Sequence, residues 1–296
     1  MITKPFIKWA GGKSQLLMDI QKKYPAELGK SVRRYCEPFV GGGAVLFDIL
    51  PFYQLDEVLI NDINRELINT YVQIKINVDE LINELEAYQS AFWAMTTDER
   101  KIFYYAKRER FNEIKINGDE RANLESAALF IFLNRTCFNG LFRVNGKGLF
   151  NVPIGSYRKP TICDADNLVK VSQLLQNTII KCGDYKECLP FIDCNTFVYI
   201  DPPYRPITET ANFTAYAETP FNDKEQMELG EFVSKLHSVG AKVVVSNSDP
   251  KNTNQNDNFF DNLYSFCRIE RVSAKRMINC NGDSRGSINE LLISNY

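Results

Sequence analysis

The chain has 296 residues, 44% of them hydrophobic and 24% charged, with a formal net charge of −2; that length suits one or two domains with an ample core, and no apolar run is long enough to span a bilayer. Its eight cysteines (Cys36, Cys137, Cys163, Cys182, Cys188, Cys194, Cys267 and Cys280) form no Cys-x-x-Cys pair and His237 is the only histidine, which counts against structural zinc and a disulfide framework. Lys4 and Lys8 precede no signal-peptide apolar block, so the expected compartment is the cytoplasm, with no membrane partner.

In chain order, the first cluster of unusual residues is Lys8-Trp9-Ala10-Gly11-Gly12-Lys13. A strand at 34–36 then opens into Glu37-Pro38-Phe39-Val40-Gly41-Gly42-Gly43, where glycines let the backbone approach a ligand closely. About 20 residues further on, the distance expected in a dinucleotide-type fold, a strand at 58–60 ends at Asn61-Asp62. An acid at that second strand tip is placed to hold ribose hydroxyls. Leu46 stands where the third glycine of a G-x-G-x-x-G motif would be, so a nucleoside without a pyrophosphate fits better than a nicotinamide dinucleotide.

A different kind of chain comes next. Leu81, Ile82 and Leu85 give helical spacing over 79–88, the stretch 99–116 is amphipathic and charged, and 124–133 is largely apolar. This helical insertion ends in Leu141-Phe142-Arg143-Val144, then Asn145-Gly146, then Lys147 to Val152. Asn-Gly between apolar-rich runs predicts a two-residue hairpin turn with φ > 0 at both positions. A two-stranded ribbon can enter a major groove, where Arg143 can pair bidentately with guanine, and Phe138 can wedge into the stack left by an extruded base. From Ser126 to Cys163 the chain carries Arg135, Arg143, Lys147, Arg158 and Lys159 with no Asp or Glu, and Arg271, Lys275 and Arg276 form a second basic cluster. Phosphate binding needs such local basic surface, not a basic protein.

Strands at 178–181 and 197–200 come after the insertion, the second running directly into Asp201-Pro202-Pro203-Tyr204. Ligands of open α/β sheets bind beyond the carboxyl ends of the strands, and two prolines there fix φ and remove two donors. A flat base bearing an amino group matches this corner: Asp201 and the Pro202 carbonyl accept one amine hydrogen each, and Tyr204 stacks on the ring. The competing reading is a proline-stiffened loop that ends a strand. The polar 205–222 loop, with Asn212-Phe213-Thr214-Ala215-Tyr216, is placed to close over the pocket. A helix over 223–239 carries His237, read as packed or solvated. A strand at 243–246 and an antiparallel pair near 266–272 and 290–294 complete a doubly wound α/β sheet.

Taken in this one order, the Lys8 to Lys13, Glu37 to Gly43, Asp62, Phe138 to Arg143, Phe150 to Pro153, Asp201 to Tyr204 and Thr210 to Tyr216 stretches closely resemble the Dam-type (D12 class, alpha group) DNA adenine-N6 methyltransferases. The resemblance runs from near Pro5 to Tyr296. It implies an α/β, Rossmann-like S-adenosylmethionine-dependent methyltransferase fold with an inserted helical and β-hairpin DNA-recognition domain. The expected division is a donor-binding part at 1–75, a target-recognition domain at 76–160 and a catalytic part at 161–296. It implies S-adenosylmethionine as methyl donor, no metal, and double-stranded DNA as substrate, read at GATC. By the same resemblance Trp9, Lys13, Asp62, Asp184 and Asp201 bind the donor, with Tyr185 stacking beside Asp184, and Asp201, Pro202 and Tyr204 carry the chemistry. Arg143 reads guanine, Asn139 and Leu141 the neighbouring bases, Phe138 intercalates and Lys8 contacts a flanking guanine. The resemblance leaves open either a cognate restriction endonuclease acting separately as a further partner or a solitary housekeeping or phage role.

Two alternatives stay open on the residues alone. An RNA or protein amide methyltransferase would keep the donor site and the corner without the basic hairpin, and an inactive DNA-binding protein would keep the hairpin with a broken corner. The absence of any Pro-Cys pair counts against cytosine-C5 chemistry.

Overall fold

The structure, a computed structural model, describes residues 3–9, 11–118, 123–205, 221–275 and 287–296. Seven strands form one sheet: β1 (Arg34–Glu37), β2 (Glu57–Asp62), β3 (Thr178–Cys182), β4 (Thr196–Ile200), β5 (Lys242–Ser248), β6 (Arg268–Lys275) and β7 (Ser287–Ser294), in the order β3-β2-β1-β4-β5-β7-β6. The first five are parallel; β7 runs antiparallel between β5 and β6. All of β4 is buried, as expected of a parallel strand covered on both faces, which reads as a continuous apolar run. The strand order reverses between β1 and β4, and the crevice at such a switch point is where open α/β sheets bind ligands.

The helices are α1 (Leu17–Gln21), α2 (Leu46–Ile49), α3 (Arg65–Ile76), α4 (Val78–Ala94), α5 (Thr97–Asn117), α6 (Asn123–Thr136), α7 (Ala165–Leu175), α8 (Asp223–Ser238) and α9 (Phe259–Leu263). Their starts are written in the sequence. Asn64 accepts the Leu67 N–H at 2.9 Å before α3, and capping boxes of Thr96 with Glu99 and of Asn222 with Glu225 open α5 and α8. On one face of the sheet, α8 buries Leu229, Phe232, Val233 and Leu236 against Val198, Val243 and Val245. On the other, a single core runs from Leu46, Phe47 and Tyr71 through Leu81, Leu85 and Phe111 to Phe130, Phe142 and Phe150. From Ser126 to Thr136 every residue of α6 but Arg135 is buried, so this part of the helix is largely apolar because it is enclosed nearly all round. The inserted helices therefore share their core with the sheet.

The hairpin differs from its expectation. Val144 bridges Phe150, and the loop between them closes with the Asn145 N–H donating to the Leu149 carbonyl at 2.9 Å and the Gly148 N–H to the Asn145 carbonyl at 2.8 Å. Asn145 Oδ1 accepts from the Lys147 and Leu149 N–H groups at 2.9 and 3.1 Å. The left-handed residue is Gly148 (φ 72°), and neither Asn145 nor Gly146 has positive φ. The register is set by Phe142 and Phe150, whose rings pack at 5.6 Å in the core, which leaves more than two residues to turn. Gly148→Ala is accordingly expected to cost about 1–2 kcal/mol in denaturant unfolding, and Gly146→Ala, with open space around its Cβ, close to nothing. The reverse ranking would restore the two-residue turn.

Candidate active site and recognition surface

At the carboxyl end of β4 the chain leaves the sheet through Asp201-Pro202-Pro203-Tyr204. Asp201 Oδ1 accepts two bonds, from Lys13 Nζ at 3.0 Å and from Ser246 Oγ at 2.9 Å, and Ser246 in turn accepts from the Tyr199 hydroxyl at 3.1 Å. Asp201 Oδ2 and the Pro202 carbonyl have no partner among the described residues. Two acceptors are thus left open at the switch point. Burial pushes the Asp201 carboxyl above its ordinary range, Lys13 and Ser246 pull it back, and Glu290 pushes it up again.

Lys13 is only 4% exposed. Its ammonium also donates to the Gly11 carbonyl at 3.1 Å and to the Tyr204 hydroxyl, lies 4.3 Å from the Tyr204 ring centre, and stands 3.6 Å from Glu290 Oε2. The Tyr204 hydroxyl donates to Glu290 at 2.5 Å, and burial, with Asp201 and Glu290 nearby, holds its phenol well above the usual value. Ser246 and Glu290 were not singled out in the sequence. The polar run Ser246-Asn247-Ser248-Asp249, which closes the apolar strand β5, is the signal that could have found the first. Nothing local marks Glu290, which reaches the site only because β7 returns beside β5.

The glycine turn after β1 is shaped by its neighbours. Gly41 and Gly43 have φ of 48° and 72°, and a Cβ on Gly41 would lie 2.8 Å from Trp9 Nε1. Trp9 covers this turn and stacks on Phe142 of the hairpin, with ring centres 5.9 Å apart. Asp62, at the end of β2, accepts from the Gly41 and Asn64 N–H groups at 3.0 Å each; burial raises its carboxyl and these backbone donors oppose the rise. Asn61 donates to the Pro38 and Gly183 carbonyls at 3.1 and 3.0 Å, tying three strand tips together, and its buried Oδ1 has no partner among the described residues. Asp184 is exposed and caps the short helical turn after β3. Tyr185 beside it is a core residue: it stacks on Phe39 at 5.2 Å and meets Phe232 edge-on, which corrects its reading as a free stacking ring.

The residues expected to read DNA gather where α6 ends. Phe138 is 52% exposed and Asn139 adopts φ 54°, ψ 13°, a left-handed conformation, in the turn Phe138–Gly140. The buried Asn134 carboxamide bonds both backbone groups of Lys8 and the Gly140 carbonyl. A Cβ on Gly140 would lie 2.5 Å from Lys8 Cδ, so only glycine lets Lys8 pass there. Lys8 Nζ donates to the Tyr157 hydroxyl at 3.1 Å and sits over its ring, a partner the sequence did not suggest. Arg143 is exposed and donates to Asn151 Oδ1 at 2.8 Å; Leu141 is half-buried against the core.

Several charges are placed differently from expectation. Arg135 donates to the Phe6 carbonyl at 2.7 Å in a largely buried position, and Arg271 is paired with Asp249 at 3.0 Å and Asp261 at 2.8 Å. Both are engaged by structural partners, so neither adds to a free basic surface. Arg276, the Lys275 side chain, Cys280 and residues 206–220 of the expected closing loop lie outside the described residues. Arg205, at the start of that loop, pairs with Asp223 and Asp257 and lies over Phe259. His237 is exposed, its Nδ1 3.3 Å from Asn295 Nδ2. Among the described residues no cluster of three metal-ligating side chains is found, the cysteines are free thiols, and no helix is long and apolar enough to cross a membrane.

A family model described as D12 class N6 adenine-specific DNA methyltransferase matches residues 9–278. The Type II methyltransferase M.MjaIII of Methanocaldococcus jannaschii is 48% identical over 298 residues, covering 100% of both chains. The Type II methyltransferase M1.LlaDCHI of Lactococcus lactis subsp. cremoris is 36% identical, over 99% of this chain and 95% of that one. A DNA adenine methylase of Haemophilus influenzae is 33% identical, over 98% and 92% respectively.

Proposed function

The chain belongs to the D12 class of N6 adenine-specific DNA methyltransferases, and on that premise we propose that it methylates the adenine of GATC in duplex DNA after rotating that base out of the helix. The observation that carries this reading is the pair of open acceptors, Asp201 Oδ2 and the Pro202 carbonyl, at the switch point of the sheet. An exocyclic amine has two hydrogens to give. Its lone pair is conjugated with the purine ring, and bonds to two acceptors on one side favour the pyramidal geometry in which the nitrogen is nucleophilic. The corner's contribution is thus positioning and electrostatics. A paired adenine cannot reach a crevice, so the base must leave the stack at a cost of a few kcal/mol, offset in part by stacking on Tyr204.

The family implies S-adenosylmethionine as donor, and the residues present fit it: a glycine turn under Trp9, the Asp62 carboxylate on the adjoining strand tip, Asp184 on the next, and an orphaned Asn61 oxygen between them. When bound, the donor supplies a methyl group on a sulfonium. Asp62 is the proposed ribose holder, Asp184 the acceptor for the donor's adenine amine, and Trp9, Lys13 and Asp201 border the methionine end. Asp201 also takes up the amine proton released by transfer. No covalent intermediate with the chain and no metal is required. Residues 76–160 are the proposed target-recognition unit between donor-binding (1–75) and catalytic (161–296) parts, with Lys8, Phe138, Asn139, Leu141 and Arg143 facing DNA. The Type II names of two relatives favour a separately acting endonuclease as partner, and a DNA substrate suits a cytoplasmic enzyme.

The test is to incubate the protein with S-adenosylmethionine and a plasmid of known sequence and map N6-methyladenine base by base. Methylation confined to GATC is expected; another motif would sink the site assignment and keep the chemistry. Arg143→Ala is expected to lower discrimination for its guanine by about 10- to 100-fold, as loss of a bidentate contact of about 1–3 kcal/mol requires. Unchanged base preference in the same map would remove Arg143 from readout.

A further inference from the structure

The corner has a support that neither the sequence nor the family description singles out. Gln226 lies in the first turns of α8, on the same face as Leu229 and Val233, and is completely buried. Its Nε2 donates to the Pro203 carbonyl at 3.0 Å, and its Oε1 accepts from Asn247 Nδ2 at 3.2 Å. Asn247, at the end of β5, is itself 1% exposed. A helix and a strand thus meet the base corner through two buried carboxamides, each of which would be expensive to leave unpaired. The Pro203 carbonyl belongs to the peptide plane that carries Tyr204, and the Pro203 ring locks φ on its other side. Holding that one carbonyl fixes the Tyr204 plane directly, and through the locked φ it restrains the plane bearing the Pro202 carbonyl.

We infer that Gln226 is a positioning residue for methyl transfer: it aims the Pro202 acceptor and the Tyr204 ring by holding the Pro203 carbonyl, with Asn247 fixing the orientation of its carboxamide. The inference rests on the reading of Asp201 to Tyr204 as the base corner. A loss of alignment on the order of 1 Å lowers turnover by about 10- to 100-fold without touching binding. Gln226→Met keeps the volume and removes both bonds. Gln226→Glu keeps the acceptor for Asn247 but can donate to Pro203 only when protonated, and burial raises a carboxyl pKa.

The experiment measures kcat and KM for DNA and donor across pH, with 2-aminopurine at the target adenine to report extrusion. For Gln226→Met, kcat is expected to fall about tenfold or more with both KM values nearly unchanged. For Gln226→Glu, activity should approach wild type at low pH and decline as pH rises, with a titration step absent from wild type and from Gln226→Met. Unchanged kcat in Gln226→Met, a wild-type pH profile in Gln226→Glu, or KM for DNA rising in step with lost thermal stability would each overturn the positioning role. If Gln226→Met does not fold, the pH profile of Gln226→Glu decides alone. Asp201→Ala, run in parallel, separates the two readings: an active Asp201→Ala sinks the corner itself, whereas an inactive Asp201→Ala beside a fully active Gln226→Met sinks only the positioning inference.

Discussion

Asp201→Ala is expected to lower kcat by roughly 10²- to 10³-fold or more, the scale for removing a preorganised electrostatic partner of the reacting group, while the Kd for DNA stays within about threefold because phosphate contacts dominate that affinity. Asp201→Asn should be nearly as inactive, for a reason particular to this site. Lys13 and Ser246 both donate to Oδ1, so the amide oxygen must take that position and the amide NH2 must turn to where Oδ2 was. A donor would then face the donor amine of the base. Substantial activity in Asp201→Asn would mean that the proposed division of labour between the two oxygens is wrong. In the wild type, activity should fall as pH drops through a value above the ordinary aspartate range, since burial raises this carboxyl.

Lys13→Met is the second large effect. The ammonium stands between Asp201 and Glu290, 3.0 and 3.6 Å away, and removing it leaves two carboxylates in a buried site without a cation. Breaking such a pair costs about 3–5 kcal/mol. The loss of Lys13 also removes the first influence that lowers the Asp201 pKa, so the acid limb of activity should move to higher pH. Stability should move the other way. An acid whose folded-state pKa lies above its unfolded value binds its proton more tightly when folded, so stability is greatest below the unfolded pKa and declines as pH rises through the folded one. Activity and stability of Lys13→Met should therefore change in opposite directions with pH. Parallel changes in rate assays and urea melts would show that Lys13 acts elsewhere.

The strands were most legible where the parallel sheet covers them on both faces, as in the wholly buried run Phe197 to Ile200, whereas β3 at the sheet edge leaves Ile179, Lys181 and Cys182 exposed. The place of Asp201 to Tyr204 at the carboxyl end of β4 was legible too, because the tetrapeptide follows directly on that apolar run. The place of β7 between β5 and β6 was not visible, because pairing partners are chosen by the assembled sheet, and with it went Glu290. The hairpin turn was misread because Asn-Gly satisfies the local rule for a two-residue turn, whereas the packing of Phe142 on Phe150 decides the register. Arg135 and Arg271 were counted as free charge because the Phe6 carbonyl and Asp249 that engage them are distant in the chain. A sequence shows a charge before it shows the partner.

The core shared by the sheet and the inserted helices has an evolutionary consequence. Because α6 packs into the same apolar mass as Tyr71 and Phe47, the inserted helices are not a cassette that can be exchanged whole between lineages without rebuilding the sheet layer beneath them. On the proposed function, new target sequences would be reached instead by substitution at the exposed side chains Phe138, Asn139 and Arg143, over a foundation that stays put. Lineages of this enzyme should then diverge in what they read far faster than in how they fold.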